Sequence, residues 1–260
     1  MVSPRKKPIK DIRFFERAVE DDFGNPMPVY VGTLYPVVDW SEVGVLGDRY
    51  ALKLAERGFR TRGYDHVYVA LTPLIPEGEV RIGDRQLEPW CLYVDVGLPL
   101  ESWPQDRAEE QNRCLARMAT RALEYLCAVH GLDGTVLPGT EVELLEQGAA
   151  LEITRLVKET AAYTVRVTYQ VLPARTPSPV FLEYQDHRSG RSGKIELMRV
   201  KNLEDVFALV ASASVSGGVI TLKPRTSFRA GLSTRHYPTP IQVPIHRVLE
   251  APPWAGSAST

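Results

Sequence analysis

The stretch that decides the fold of this chain runs from Ser102 to His130 and reads SWPQDRAEEQNRCLARMATRALEYLCAVH. Its first four residues match a capping box, in which the Ser102 hydroxyl and the Gln105 side chain satisfy backbone N–H groups of the first turn. Gly131 follows His130 as a stop signal. Between these ends, apolar residues recur at steps of three and four, which predicts one long amphipathic helix with a single buried face. The residues of that face are Ala108, Leu115, Met118, Ala119, Ala122, Leu126 and Val129.

The segments on either side of this helix are typical of β-strands. Side chains alternate between apolar and polar most clearly over residues 163–171, and residues 141–157 alternate less regularly but are also assigned to β-structure. The other predicted strands are 66–71, 79–82, 90–96, 180–184, 195–200 and 219–222, with short helices at 48–58 and after Asn202. Strands punctuated by single helices predict an α+β fold. We expect antiparallel sheets covered by the long helix and by one or two shorter helices.

The charge of the chain is divided between its two ends. Residues 1–150 contain 17 Lys and Arg against 24 Asp and Glu, whereas residues 151–260 contain 14 against 8. We therefore predict an acidic N-terminal unit over residues 1–135 and a basic C-terminal unit over residues 136–250, followed by a flexible tail at 251–260. A single-domain organisation is also open. Such asymmetry arises either from partner binding or from two halves that attract each other.

Composition excludes several classes of protein. Hydrophobic residues make up 44% of the chain and charged residues 24%, and no apolar run approaches the ~20 residues that cross a bilayer. The basic N-terminus has no apolar stretch behind it, so we predict a cytoplasmic protein that does not contact a membrane. Cys91, Cys114 and Cys127 form no C-x-x-C pair, which predicts neither disulfides nor structural zinc. Cys114, Met118 and Cys127 have the spacing of helix packing, and no metal or cofactor is predicted.

Acidic residues are scattered through the N-terminal part of the chain. Paired carboxylates can act as general acid and base or bind Mg²⁺, but both uses require side chains that converge in space. The spacing shows no such convergence, so these carboxylates are expected to be exposed and no catalytic residue is predicted. The residues concerned are Asp21, Asp22, Asp39, Glu42, Asp48, Asp65, Glu77 and Glu79.

Two basic groups in the C-terminal part are the candidate ligand-binding residues. Arg188, Arg191 and Lys194 occupy a Gly- and Ser-rich loop that could hold a phosphate through charge and backbone N–H groups. The second group lies near aromatic residues, a composition that also suits single-stranded nucleic acid. It comprises Lys223, Arg225, Arg229, Arg235 and His236. A solvated loop, or a cationic rim that faces an acidic partner, explains the same residues.

The segments Tyr64–Val69 and Trp90–Gly97, followed by the helix through Ala122, Leu123, Glu124, Tyr125 and Leu126, resemble the small cytosolic α+β immunity proteins of bacterial toxin systems. The resemblance covers about the first half of the chain. It implies a bacterial protein without an active site, whose acidic and aromatic surface blocks a toxin through complementary charge and a few buried anchors. The leading expectation is therefore a non-catalytic protein-binding module. An enzyme or sensor that binds a phosphorylated ligand or nucleic acid, and a structural subunit of a larger assembly, are the alternatives.

Overall fold

The chain folds into two compact units, Met1–Leu151 and Glu152–Thr260. A computed structural model describes residues 6–17, 28–83 and 88–251. The division between the units falls later than the expected boundary at residue 135, because the helix that follows that residue packs with the first unit. Of the expected tail, residues 252–260 lie outside the described residues. The charge division of the sequence coincides with this division into units.

The first unit contains both strands and helices. In its described part the strands are β1 (Lys6–Pro8), β2 (Asp11–Arg17), β3 (Pro28–Tyr30), β4 (Arg60–Arg62), β5 (His66–Thr72), β6 (Val80–Ile82) and β7 (Cys91–Gly97). Its α-helices are α1 (Trp40–Glu56), α2 (Ala108–His130) and α3 (Leu137–Gln147). Five strands form one sheet in the order β3-β2-β5-β7-β6, and β1 pairs with β4 separately.

The centre of this sheet is parallel, so the prediction of antiparallel sheets is wrong here. β2 runs parallel to β5, and β5 runs parallel to β7, while β3 and β6 pair antiparallel at the two edges. For β2 and β5 the physical reason is their connection, which contains helix α1 and returns the chain to the same end of the sheet. β5 and β7 are joined through residues that include the edge strand β6. Helix α1 is longer than the predicted segment 48–58. Strand β2 was not among the predicted strands.

One face of the sheet is covered by helices. Ile12, Val69 and Val94 on that face belong to a large core with apolar residues of α1 and α2, and α3 packs against both of these helices. The opposite face holds a smaller cluster of apolar and aromatic side chains. Its members are Phe15, Tyr68, Ala70, Cys91 and Tyr93.

The long helix α2 begins at Ala108 and not at Ser102, and the predicted capping box is absent. Ser102 ends a short 3₁₀ turn, and no side chain caps the first turn of α2. The residues before α2 follow a different course because Trp103 is buried and its indole Nε1 donates a hydrogen bond to the Pro36 carbonyl oxygen at 2.8 Å. Most of the predicted apolar face is buried, but Val129 is exposed.

The second unit contains two antiparallel sheets. Its described strands are β8 (Ile153–Glu159), β9 (Tyr163–Tyr169), β10 (Ser178–Asp186), β11 (Ser192–Val200), β12 (Ser212–Ser216), β13 (Val219–Lys223) and β14 (Ile241–Pro244). Its helices are α4 (Leu203–Leu209), α5 (Phe228–Thr234) and α6 (Ile245–Leu249). The sheets have the orders β11-β10-β9-β8 and β12-β13-β14.

The predicted central strands of this unit match the observed ones, whereas several of its other elements were not predicted. The predicted β-structure at 141–157 is wrong over its first half, where α3 extends to Gln147. α5, β14 and α6 had no counterpart among the predicted elements. Taken together, helices with mixed and antiparallel sheets make the fold α+β. No helix in the described ranges has the length and apolar character needed to cross a membrane.

Candidate functional site

The candidate site lies at one edge of strand β2. Among the described residues, β3 pairs only with Phe15–Arg17 of β2, so residues 11–14 have no described strand partner on that side. Helix α1 fills the space: a Cβ atom on Gly47 would lie 1.9 Å from the Ile12 carbonyl oxygen, so the helix backbone touches the strand backbone. This close approach brings Asp48 of α1 beside Asp11 of β2.

A cavity of ≈ 290 Å³ opens at this junction, and we call it the Asp11–Asp48 cavity. Its mouth is aromatic: Tyr30 is 62% exposed and Trp40 is 52% exposed. Val29 and Val38, in the same part of the chain, are also exposed. The residues that line it are Asp11, Ile12, Arg13, Phe14, Tyr30, Val31, Trp40, Val43, Gly44 and Asp48.

The loop at the mouth is held by a buried carboxylate. Glu16 of β2 is fully buried and accepts hydrogen bonds from the backbone N–H groups of residues 32–35, at 2.9–3.2 Å. Gly32 in this loop has φ +148, and a Cβ there would lie 2.1 Å from Trp40 Cζ2. The Trp40 ring therefore rests against the Gly32 backbone, which fixes its position at the mouth of the cavity.

Asp11 is a buried carboxylate that forms an ion pair with Arg13 and lies beside Asp48. Only 5% of the residue is exposed, and Arg13 Nε lies 2.7 Å from its Oδ2. Arg13 and the Asp48 carboxyl are its polar neighbours, and by strict hydrogen-bond geometry neither Asp11 oxygen has a donor within the described part of the chain. Burial raises the pKa of Asp11, and the positive charges of Arg13 and His66 lower it in part.

Asp48 is the second carboxyl of the cavity, and its environment also opposes ionisation. Burial, followed by the negative charge of Asp11, raises the pKa of Asp48 to about 6, against the opposing charges of Arg13 and Arg49. Near neutral pH the cavity therefore contains two carboxylates that repel each other and one guanidinium. The expectation that Asp48 is an ordinary exposed charge is wrong, because α1 begins eight residues earlier than predicted and presses Asp48 against β2.

The neighbouring residues do not supply a nucleophile. His66 and Cys91 follow Asp11 across the parallel strands in register. Burial raises the pKa of the Cys91 thiol to about 12, which keeps it protonated at neutral pH. The His66 ring is engaged elsewhere, with its Nδ1 2.7 Å from Asp65 Oδ1 and its ring 4.6 Å from that of Trp90.

The basic residues predicted to bind a ligand are distributed over several surfaces of the second unit. Arg188 and Arg191 are exposed in the turn between β10 and β11. Lys194, from the same predicted loop, instead lies within β11, where it forms an ion pair with Glu152 and packs 5.0 Å from the Phe181 ring centroid. The loop therefore does not bring its three cations together.

The second basic group divides in the same way. Lys223 is exposed at the end of β13. Arg225 and Arg229 line one cleft, of ≈ 260 Å³. Arg235 and His236 line another, of ≈ 550 Å³, where Arg235 Nε lies 2.9 Å from His236 Nε2.

Of the two carboxylates of the Asp11–Asp48 cavity, Asp48 was predicted as an exposed charge and Asp11 was not singled out from the sequence. The signal that could have identified Asp11 is the polar–apolar alternation over residues 11–14, in which Ile12 and Phe14 face the core. Among the described residues, no group of three or more His, Cys, Asp or Glu side chains is arranged to hold a metal ion. Cys91, Cys114 and Cys127 are free thiols.

No protein-family model, no curated protein and no solved structure matches this chain. Any functional conclusion therefore depends on the cavities and charges of the molecule itself.

Proposed function

We propose that this protein is a non-catalytic binding module that accepts a basic side chain of a protein partner in the Asp11–Asp48 cavity. The observation that carries the proposal is Asp11, a buried carboxylate without an aligned donor in the described ranges, next to a second carboxyl. A lysine ammonium or arginine guanidinium adds N–H donors and a second positive charge to a cavity that holds two carboxyl groups and one guanidinium.

The mouth of the cavity favours a protein over a free small cation. Ligand pockets bury most of a small molecule and place their aromatic residues inside, whereas protein interfaces surround a central anchor with exposed aromatic and apolar side chains. Tyr30 and Trp40 are exposed at the mouth, and Val29 and Val38 extend the apolar surface. A cation that enters between the two rings also gains cation–π attraction.

The charge of the first unit supports a basic partner. Residues 1–150 carry seven more acidic than basic side chains, which attracts a positively charged protein at long range and speeds its association. The resemblance to immunity proteins points to a bacterial toxin, such as a basic nuclease, as the first partner to test. A structural subunit would use the same surface, but it would assemble with several partners instead of one.

Capture of the partner by the tagged full chain from its source cells tests the proposal. We expect one basic protein in stoichiometric amount, lost at high salt because exposed charge pairs weaken with ionic strength. Trp40→Ala should weaken binding at least about tenfold, as expected for an aromatic anchor. Trp90→Ala is the matched control, because Trp90 is also an exposed indole of the first unit but does not line the cavity.

Binding should also depend on pH in a defined direction. A cationic side chain binds the ionised pair, so affinity should increase as the pH rises through about 6, the pKa of Asp48. Asp48→Asn should remove this increase. Equal capture by wild type, Trp40→Ala and Trp90→Ala, or a partner whose binding is insensitive to both salt and pH, would contradict the proposal.

A further inference from the structure

Arg155 is a partly buried cation at the side of the second unit's four-stranded sheet. It belongs to β8, and its guanidinium carbon lies 5.3 Å from the centroid of the Phe207 ring. Its Nη2 is 3.5 Å from the Phe207 carbonyl oxygen, and its Nε is buried without a hydrogen-bond partner within the described ranges. Tyr169 meets the Phe207 ring edge-on at 5.9 Å. The Arg155 side chain is therefore held by aromatic packing more than by hydrogen bonds.

A second arginine is held next to the first. The backbone N–H of Arg225 donates to the Ala208 carbonyl oxygen at 2.8 Å, one residue after the carbonyl that faces Arg155. The last turn of α4 thus contacts the Arg155 side chain and the Arg225 backbone, and the C-terminal end of a helix favours positive charge. Burial, followed by the charge of Arg225, lowers the pKa of Arg155. In residues 6–17, 28–83 and 88–251, neither arginine has an acidic side chain within salt-bridge distance.

The cleft of ≈ 260 Å³ opens beside these groups. Arg225 and the hydroxyls of Ser227 and Ser233 line it, together with Arg229 and Glu204. Arg229 lies 3.6 Å from Glu204, but both side chains are more than three-quarters exposed, so water screens the pair and its contribution is small. The cleft therefore has an excess of positive charge and several hydrogen-bond donors.

We propose that this cleft binds the phosphate group of a small phosphorylated molecule, with Arg225 and the serine hydroxyls as donors and Arg155 as supporting charge. A guanidinium presents two parallel N–H groups that match two phosphate oxygens, and a bound dianion relieves the repulsion between Arg155 and Arg225. The proposal is independent of the proposed protein-binding function, because it concerns a different unit and a ligand of opposite charge. The small volume of the cleft favours a single phosphate over a polymer backbone.

Inorganic phosphate is the probe, added to the full chain at a fixed ionic strength maintained with chloride. We expect phosphate, but not chloride, to raise the unfolding temperature of wild type, and titration calorimetry to give a saturable site. Arg225→Gln should weaken phosphate binding by roughly 10-fold or more, the loss expected for charge-assisted hydrogen bonds. Arg188→Gln is the matched control, because it removes one exposed cation of the same unit outside the cleft.

Arg155→Lys provides a second test, since it retains the positive charge but removes the planar guanidinium with its parallel N–H groups. It should weaken phosphate binding less than Arg225→Gln does. Equal stabilisation by chloride and phosphate, or equal phosphate affinity in Arg225→Gln and wild type, would overturn the proposal. Tighter binding of a single-stranded oligonucleotide that Phe228→Ala abolishes would also overturn it, because Phe228 is 86% exposed on α5 and would then act as a base-stacking surface.

Discussion

Two glycines of helix α1 should respond to alanine in opposite directions. Gly44 and Gly47 lie one turn apart in the same helix, so alanine brings the same intrinsic gain in helix propensity at both positions, ~1 kcal/mol. Their surroundings differ. A Cβ on Gly44 meets nothing within 4 Å, whereas a Cβ on Gly47 lies 1.9 Å from the Ile12 carbonyl oxygen and 2.8 Å from its carbon.

The clash at Gly47 sets the size of the effect. A carbon and a carbonyl oxygen approach to about 3.3 Å, so α1 and β2 must separate by about 1.4 Å. Both partners are backbone, and no side-chain rotamer can relieve the overlap. A separation of this size loses about half of the dispersion attraction across the contact, where Leu46 and Tyr50 are buried. We expect a cost of ~3 kcal/mol, within the range for overpacked cores, and a net loss of ~2 kcal/mol after the gain in propensity.

Urea unfolding monitored by tryptophan fluorescence measures the difference. Trp40, Trp90 and Trp103 lie in the first unit, so the signal reports mainly on the unit that contains α1. Gly44→Ala should be more stable than wild type by ~1 kcal/mol and Gly47→Ala less stable by ~2 kcal/mol, with unchanged slopes against urea. If the two variants had equal stability, the close contact between α1 and β2 would be refuted, and with it the geometry that places Asp48 beside Asp11.

Two further predictions concern buried charges of the first unit. Because the pKa of Asp48 is raised to about 6 in the folded chain, wild type should lose stability as the pH rises from about 4 to about 6. Asp48→Asn should remove the part of that loss that Asp48 contributes, leaving the part due to the raised pKa of Asp11, and should be more stable at neutral pH by up to ~3 kcal/mol. Unfolding measured across this pH range checks it, and an unchanged slope in the variant would contradict it. Asp95→Asn should cost ~3 kcal/mol in urea unfolding, because Asp95 forms a buried ion pair with Arg17 that the change leaves uncompensated. A cost below ~1 kcal/mol would show that the pair contributes little.

The parts of the fold that could be predicted from sequence are those in which a single face is buried. In β9, Val165, Val167 and Tyr169 are buried while Arg166 is exposed, and α2 buries most of its apolar stripe, so the period of the apolar residues identifies each element. The start of α2 was predicted wrongly because a capping box is a local signal. The contact between Trp103 and the Pro36 carbonyl oxygen, which is distant in sequence, decides the course of the chain there.

The candidate site could not be predicted because it depends on contacts between distant segments. Asp11 and Asp48 are ordinary acidic residues in sequence, and they meet only because Gly47 lets α1 touch the edge of β2. The basic residues show the opposite case, in which cations that are close in sequence are separated by the fold. Lys194 belongs to a cationic loop in sequence, but the strand register turns it towards Glu152. Charge patterns indicate the sign of a surface, whereas only the fold indicates which charges share a cavity.

The two candidate sites are alike in that each brings two groups of like charge together, negative in the first unit and positive in the second. In the acidic unit, Asp11 and Asp48 bring two carboxyls together, and in the basic unit, Arg155 and Arg225 bring two guanidiniums together. Each like-charge pair costs stability in the free protein, and each lies at or beside a cavity with no described counter-charge that fully compensates it. A ligand of opposite charge recovers that cost on binding, which makes the repulsion a source of affinity. Under the two proposals, the first unit takes a cationic side chain and the second a phosphate, which agrees in sign with the division of charge along the chain.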